Sequence, residues 1–203
     1  MPDKQPYIIA VTGKMAAGKS RFVNRLSSSM GDLKKRGAKI LIVRMDDFGE
    51  KFFSNPALSR YVNLITYMER ATQFAIERAS KDGYDAVILD SYHLAKLPFW
   101  KDANMRIVVS ADANERFAAA QARDEQKNLP PVSKERFDDC DSVFEKVYKP
   151  LLGDDFKTVI NDRGKLFRQG LQGISTEIYA VFSKIHLEKA PRRMQKPPLK
   201  PQL

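Results

Sequence analysis

Eight residues near the start of the chain, Gly13 to Ser20, read GKMAAGKS and fit G-x-x-x-x-G-K-[ST], a spacing whose chemistry is the cradling of phosphates. Gly13 and Gly18 allow a tight turn and let the backbone approach a polyphosphate where a side chain would block it. Lys14, Met15, Ala16 and Ala17 form the loop between them. The amides from Met15 onward lead into a helix expected from Lys19, whose dipole favours negative charge at that end. Lys19 supplies a point charge between the β- and γ-phosphates, and the Ser20 hydroxyl is a ligand for Mg²⁺. A plain glycine turn is the bland alternative, but the match falls between an expected strand and an expected helix, which is the context the chemistry requires. The expected ligands are therefore ATP and Mg²⁺.

Two further apolar runs end in acids. VILD places Asp90 at the carboxyl end of one, where a carboxylate organises Mg²⁺ beside such a loop; a helix cap or turn residue is the competing reading. LIVRMDDF brings Asp46 and Asp47 to the end of another. A carboxylate there suits orienting an acceptor hydroxyl and taking its proton. Adjacent acids project to different sides, so at most one is expected to be the base, and a solvated acidic turn is the alternative. Asp85, at the opposite end of the VILD run, reads as structural.

The residues around these acids suggest an acceptor cleft and a lid. Tyr92 and His93 follow Asp90 toward the same cleft, with Phe48 beside the acid pair. Phe52, Phe53, Tyr61 and Tyr67 are crowded among Lys51, Arg60 and Arg70, where a flat base could stack, although core or helix packing is the more ordinary use of such rings. Arg116, Arg123, Lys127, Lys134 and Arg136 flank NLPPV (Asn128–Val132). A Pro-Pro break between helices with bases on both sides suits a lid, about 113–150, that neutralises a transferring phosphoryl group and excludes water. Trp100 reads as loop packing, and Cys140 as no nucleophile.

These groups have to be positioned by a sheet. The runs Tyr7–Val11, Lys39–Val43, Ala86–Leu89, Arg106–Val109 and Phe156–Ile160 are short, continuous and rich in β-branched residues, as in parallel strands covered on both faces. Helical stretches lie between them, over Lys19–Arg36, Ala57–Ser80, Asn114–Lys127 and Lys134–Tyr148, with a last helix near Ser175–Leu187. In the third, Phe117, Ala118, Ala120 and Ala122 are expected inward, with Arg116 and Arg123 on one face. Such alternation predicts a layered α/β fold with ligands beyond the carboxyl strand ends.

Composition narrows the class further. The 203 residues are 43% hydrophobic and 30% charged, which is globular. One cysteine and two histidines exclude a disulfide framework and a His/Cys metal site. No apolar stretch approaches a bilayer span or a signal-peptide core, so a cytoplasmic protein without membrane contact is expected. The net charge of +10 would suit nucleic acid, but half of it sits between Lys184 and Leu203, among four prolines. Residues 190–203 are expected to be a disordered basic tail following one domain over 1–189.

With a phosphate loop, MDDF after the second strand and an arginine-bearing lid, the chain resembles the small-molecule kinases of the P-loop superfamily. In uridine and nicotinamide riboside kinases the first acid of D-x-[FY] is the base, and polynucleotide kinases are similar. That resemblance selects Asp46, with Asp47 as substitute. AQARD (Ala120–Asp124) and TVINDRG (Thr158–Gly164) resemble dephospho-CoA kinase, which implies Arg123 as the lid arginine and Asn161 to Gly164 near the adenine. Likeness to nucleoside and nucleotide kinases implies a three-layer fold with a five-stranded parallel sheet in the order 2-3-1-4-5. It spans about residues 7–165. GKMAAGKS, MDD and LDSYHLA depart from the dephospho-CoA kinase pattern, so kinase chemistry is implied more firmly than that acceptor. The expected function is transfer of the γ-phosphate of ATP to a hydroxyl of a small nucleoside-like or coenzyme-precursor acceptor. The rivals are dephospho-CoA kinase proper, a kinase of nucleic-acid ends, and a nucleotide-gated regulatory protein.

Overall fold

A computed structural model describes residues 5–56, 60 and 62–189. Residues 57–59 and 61 of the expected second helix, and the expected tail 190–203, lie outside the described residues. Five strands, β1 (Tyr7–Thr12), β2 (Ile40–Arg44), β3 (Ala86–Asp90), β4 (Met105–Ser110) and β5 (Lys157–Ile160), form one parallel sheet in the order β2-β3-β1-β4-β5. This is the expected architecture and strand order. The described helices are α1 (Lys19–Ser29), α2 (Gly31–Lys35), α3 (Met45–Phe53), α4 (Leu64–Lys81), α5 (Pro98–Asp102), α6 (Ala113–Gln126), α7 (Lys134–Val143) and α8 (Lys165–Lys189).

Alternate residues of each central strand enter opposite layers, which is why these runs are apolar without interruption. Ile9 and Val11 meet Phe22 and Leu26 of α1 and Phe167 and Ile178 of α8. Ala10 and Leu89 meet Met68 and Ile76 of α4 and Trp100 of α5. Trp100 is fully buried and its indole Nε1 donates to the Leu152 carbonyl at 3.0 Å, so it is a core anchor as well as a loop tether. Burial of one such side chain contributes ~2–3 kcal/mol. Asp85 has the structural role expected of it: its Oδ2 accepts from the Lys39 amide at 3.0 Å, fastening the start of β2. The sheet edge is less covered than its apolar run suggests, since only Val159 of β5 is buried.

Three local features differ from the sequence reading, each for a physical reason. The helix expected over Lys19–Arg36 breaks at Met30, which leaves helical geometry (φ −83°, ψ 15°) while its side chain stays buried. The acid pair is not in a turn. It forms the first turn of α3, directly after β2, where the dipole favours Asp46 and Asp47. The last helix starts ten residues earlier than expected because the Asp162 carboxylate accepts from the amides of Gly164, Leu166 and Phe167 at 2.8–3.1 Å. Those backbone bonds also hold the Asp162 carboxyl below the usual carboxylate range. Among the described residues no helix is long and apolar enough to cross a membrane.

Candidate functional site

The GKMAAGKS loop leaves β1 and enters α1. Gly13 has φ +147° and Gly18 φ +89°. A Cβ on Gly13 would stand 2.2 Å from the Val109 carbonyl oxygen of β4, and one on Gly18 2.3 Å from Asn161 Nδ2, so both positions require glycine. Gly18 caps α1 without a side chain, which leaves the first-turn amides to other acceptors. Ala16 also has positive φ (56°). The loop is fastened from outside: Asn161 Nδ2 donates to the Ala17 carbonyl at 2.9 Å and Arg116 Nη1 to the Met15 carbonyl at 3.3 Å. Lys19 Nζ donates to the Lys14 carbonyl at 3.2 Å across the loop. Burial lowers the Lys19 pKa, opposed by the charges of Asp90 and Asp46 and reinforced by those of Arg123 and Arg116. A buried ammonium above an open helix terminus is a strong attractor for an anion.

Register sets Val11 and Arg44 level with Asp90 across the central strands. β1, β2 and β3 thus deliver the loop, the acid pair and Asp90 to one rim. A cavity of about 430 Å³ opens there, and Ser20, Asp46, Asp47, Asp90 and Arg123 are all on its walls. Asp90 is 3% exposed. Burial raises its pKa, a hydrogen bond from Ser20 and the Lys19 charge lower it, and the net direction is upward. Its Oδ1 is buried without a hydrogen-bond partner. An orphaned carboxylate oxygen beside a serine hydroxyl is a donor set that fits Mg²⁺. Because the orphaned charge is costly without metal, Asp90→Asn should raise the stability of chelator-treated protein by about 1 kcal/mol. The same variant should abolish the stabilisation that Mg²⁺ adds in the presence of nucleotide. Thermal unfolding with and without Mg²⁺ checks both.

The helices around NLPPV are joined to the loop by a network that sequence spacing did not assign. Arg116 is 2% exposed, and it forms a bidentate pair with Asp141 of α7 (Nη1–Oδ1 2.6 Å) while Nε donates to the Ala111 carbonyl. Lys14 reaches the same segment, 3.6 Å from Asp141 and 2.7 Å from Glu145. Burial raises the Asp141 carboxyl, but the hydrogen bonds and charge of Arg116, together with Lys14, outweigh it and hold it below the usual range. Ala120, Val132 and Phe137 form a small core on which Met15 and Ala16 pack. The face of α6 that turns inward is therefore Arg116, Ala120 and Asp124; Ala118 and Ala122, expected inward, are exposed. Removing Arg116, itself 2% exposed, takes from Asp141 its bidentate partner and leaves it Lys14 at 3.6 Å. Arg116→Gln should cost about 3 kcal/mol in urea unfolding at neutral pH. A depressed carboxyl contributes stability above its unfolded pKa and loses it as pH falls through the folded one, so the deficit should shrink in acid.

Other expected site residues do not line this cavity. Phe48 is on the far side of α3, lining a separate groove of about 520 Å³ with Tyr67 and Phe74. Tyr92 turns toward the segment after α7: its hydroxyl donates to the Cys140 carbonyl at 2.8 Å and its ring packs on Phe144 and Tyr148. Its phenol pKa is raised, chiefly by burial. His93 Nδ1 lies 2.7 Å from the Tyr148 hydroxyl, and burial lowers its pKa against the charge of Asp46. Asn161 flanks the loop through its bond to the Ala17 carbonyl, and the Gly164 amide is held by the Asp162 carboxylate. The periodicity of α7 carried a signal for Asp141, which shares an inward stripe with Phe137, Phe144 and Tyr148 at helical spacing.

No family model matches the chain, and no curated protein matches it in sequence. Among solved structures it is similar to the crystal structure of TT1252 from Thermus thermophilus, with 18% identity and a TM-score of 0.51 over 87% of this chain and 98% of that one. The likeness is one of fold. With the sheet order it describes a P-loop NTPase-like α/β architecture.

Proposed function

We propose that the chain is an ATP-dependent phosphotransferase acting on the hydroxyl of a small acceptor. The observation that carries this reading is the convergence of Ser20, Asp46, Asp90 and Arg123 on one cavity at the mouth of the phosphate loop. A hydrolytic switch protein needs water there and nothing more, whereas this cavity is large enough for an acceptor beside a phosphoryl group and has a carboxylate to receive the acceptor's proton.

In this reading the loop amides and Lys19 hold the triphosphate, and Lys19 stabilises charge on the transferring group. Ser20 and Asp90 would hold Mg²⁺, which supplies charge neutralisation between the β- and γ-phosphates. Among the described residues no cluster of three or more His, Cys, Asp or Glu is arranged for a metal. Two protein donors, completed by phosphate and water, are an ordinary Mg²⁺ complement. Asp46 orients the acceptor hydroxyl and takes its proton, with Asp47 as the substitute. Arg123, whose guanidinium is 2.7 Å from Asp124, lines the same cavity and meets the transferring oxygens. Asn161 to Gly164 border the adenine. The test is ATP consumption by the full chain with Mg²⁺, screened against nucleosides, nucleotides, dephospho-CoA, phosphorylated and plain polyols, and oligonucleotide ends. Turnover stimulated by one acceptor class supports the reading; slow hydrolysis that no acceptor changes overturns it.

A further inference from the structure

The acceptor cavity has a composition of its own. Among the described residues none on its walls is aromatic, and Leu129 is the one apolar side chain there. The rings crowded near it in sequence are directed elsewhere, Phe48 and Tyr67 into the groove beyond α3 and Tyr92 into the cluster with Phe144 and Tyr148. Among the described residues nothing on these walls stacks a base.

The walls carry three cations instead, in different circumstances. Arg123 is paired with Asp124 at 2.7 Å and Lys127 with Glu50 at 3.6 Å. Arg44 is held by a neutral group: its Nη2 donates to Asn24 Oδ1 at 2.6 Å, and among the described residues no carboxylate forms an ion pair with it. Asn24 follows Ser20 by one helical turn, so it holds Arg44 against the face of α1 that presents Ser20. The guanidinium is close enough to Asp90 to act on its ionisation. A guanidinium anchored by one N–H keeps four further donors in a planar fork that matches phosphate oxygens.

Resting on the phosphotransferase reading, we propose that Arg44 seats a phosphate already carried by the acceptor, and that the acceptor is a compact phosphorylated polyol. Arg44 and Asp46 leave the backbone at most ~7 Å apart. With a cavity of about 430 Å³ to share with the transferring group, the carbon skeleton between phosphate and accepting hydroxyl is short. The acceptor oxygen forms the new P–O bond as the bond from the γ-phosphorus to the bridging oxygen breaks. ADP leaves with that electron pair, and the hydroxyl proton passes to Asp46. The products are a bisphosphorylated polyol and ADP.

The experiment measures ADP release by the full chain with Mg²⁺-ATP and paired acceptors: ribose phosphate against ribose, glycerol phosphate against glycerol, with cytidine and a 5′-hydroxyl oligonucleotide as further probes. The phosphorylated member should be favoured in kcat/KM by at least about tenfold, the value of one charge-assisted contact. R44Q should bring that ratio to about one, and R44K should leave it intermediate. Preference for the plain polyol, for cytidine or for the oligonucleotide overturns the proposal. So does R44Q lowering both members of a pair equally, which would make Arg44 a contact to ATP. A binding arm separates this from failure of the kinase reading. It measures thermal stabilisation by glycerol phosphate in the presence of a non-hydrolysable ATP analogue. Stabilisation that R44Q removes, in a protein that turns over no acceptor, keeps the anion site and rejects the transferase. No stabilisation in the wild-type chain rejects the site.

Discussion

Lys19→Ala should abolish detectable phosphoryl transfer, lowering kcat/KM by about a thousandfold or more. Lys19 is 8% exposed, and its Nζ donates to the Lys14 carbonyl at 3.2 Å with the Tyr92 ring 6.0 Å away. A charge fixed in this way needs no reorganisation when negative charge develops on the phosphoryl oxygens, and one such preorganised group supplies about 4 kcal/mol of barrier reduction. The loss should not come from misfolding. Burial depresses the Lys19 pKa, and a base whose folded pKa lies below its unfolded one makes folding less favourable while it must be charged, with stability rising as pH rises. Removing it should leave nucleotide-free stability unchanged or higher. The two effects are separated by measuring thermal unfolding with and without Mg²⁺-ATP: the variant should match or exceed the wild type alone and lose the shift that nucleotide gives. A variant that unfolds early and keeps its nucleotide shift would place Lys19 in the scaffold instead.

The layers of the fold were readable because burial on two faces leaves an uninterrupted apolar run, and each of the five runs became a strand. Boundaries moved where a local force competes with periodicity. The Asp162 carboxylate starts α8 early by satisfying three amides, and Gly170 tolerates a helix there because its missing side chain lets the helix sit against Val159, 3.1 Å from where a Cβ would be. The turn at GKMAAGKS was legible as backbone geometry, since Gly13 and Gly18 take positive φ with close neighbours where a Cβ would stand. Asp46 and Asp90 were legible as acids ending apolar runs. Arg116 was not, because a buried arginine looks in sequence like any solvated one until its partner is known, and Asp141 lies 25 residues away on another helix. The same limit hid Arg44. Its meaning lies in having an asparagine from α1 for a neighbour and not a carboxylate. Phe48 shows the opposite error, in which proximity in sequence to Asp46 placed it in a cavity from which the first turn of α3 directs it away.

That helical turn also decides how the base is to be tested. Asp46 and Asp47 are successive residues of α3, about 100° apart around its axis. Asp46 lines the acceptor cavity only, whereas Asp47 lines both that cavity and the groove beyond α3. Asp46 shares the cavity with Ser20, Asp90 and Arg123, and its charge acts on Lys19 and Asp90. Asp46→Asn keeps the shape and the hydrogen-bonding capacity of the side chain and removes its ability to take a proton. Turnover should fall between about a hundredfold and ten-thousandfold, the range of general-base contributions. The loss should appear in kcat, while ATP binding, followed by thermal shift with a non-hydrolysable analogue, stays near the wild-type value because Asp46 touches none of the loop amides. Asp47→Asn should cost at most a few-fold by comparison, since that residue also lines the groove beyond α3. If Asp46→Asn retains full turnover and Asp47→Asn does not, the second acid is the base and α3 is rotated by one residue in the working complex. If both variants keep full turnover, proton transfer from the acceptor is not assisted by this helix, and the cavity's carboxylates serve the metal and the lid alone.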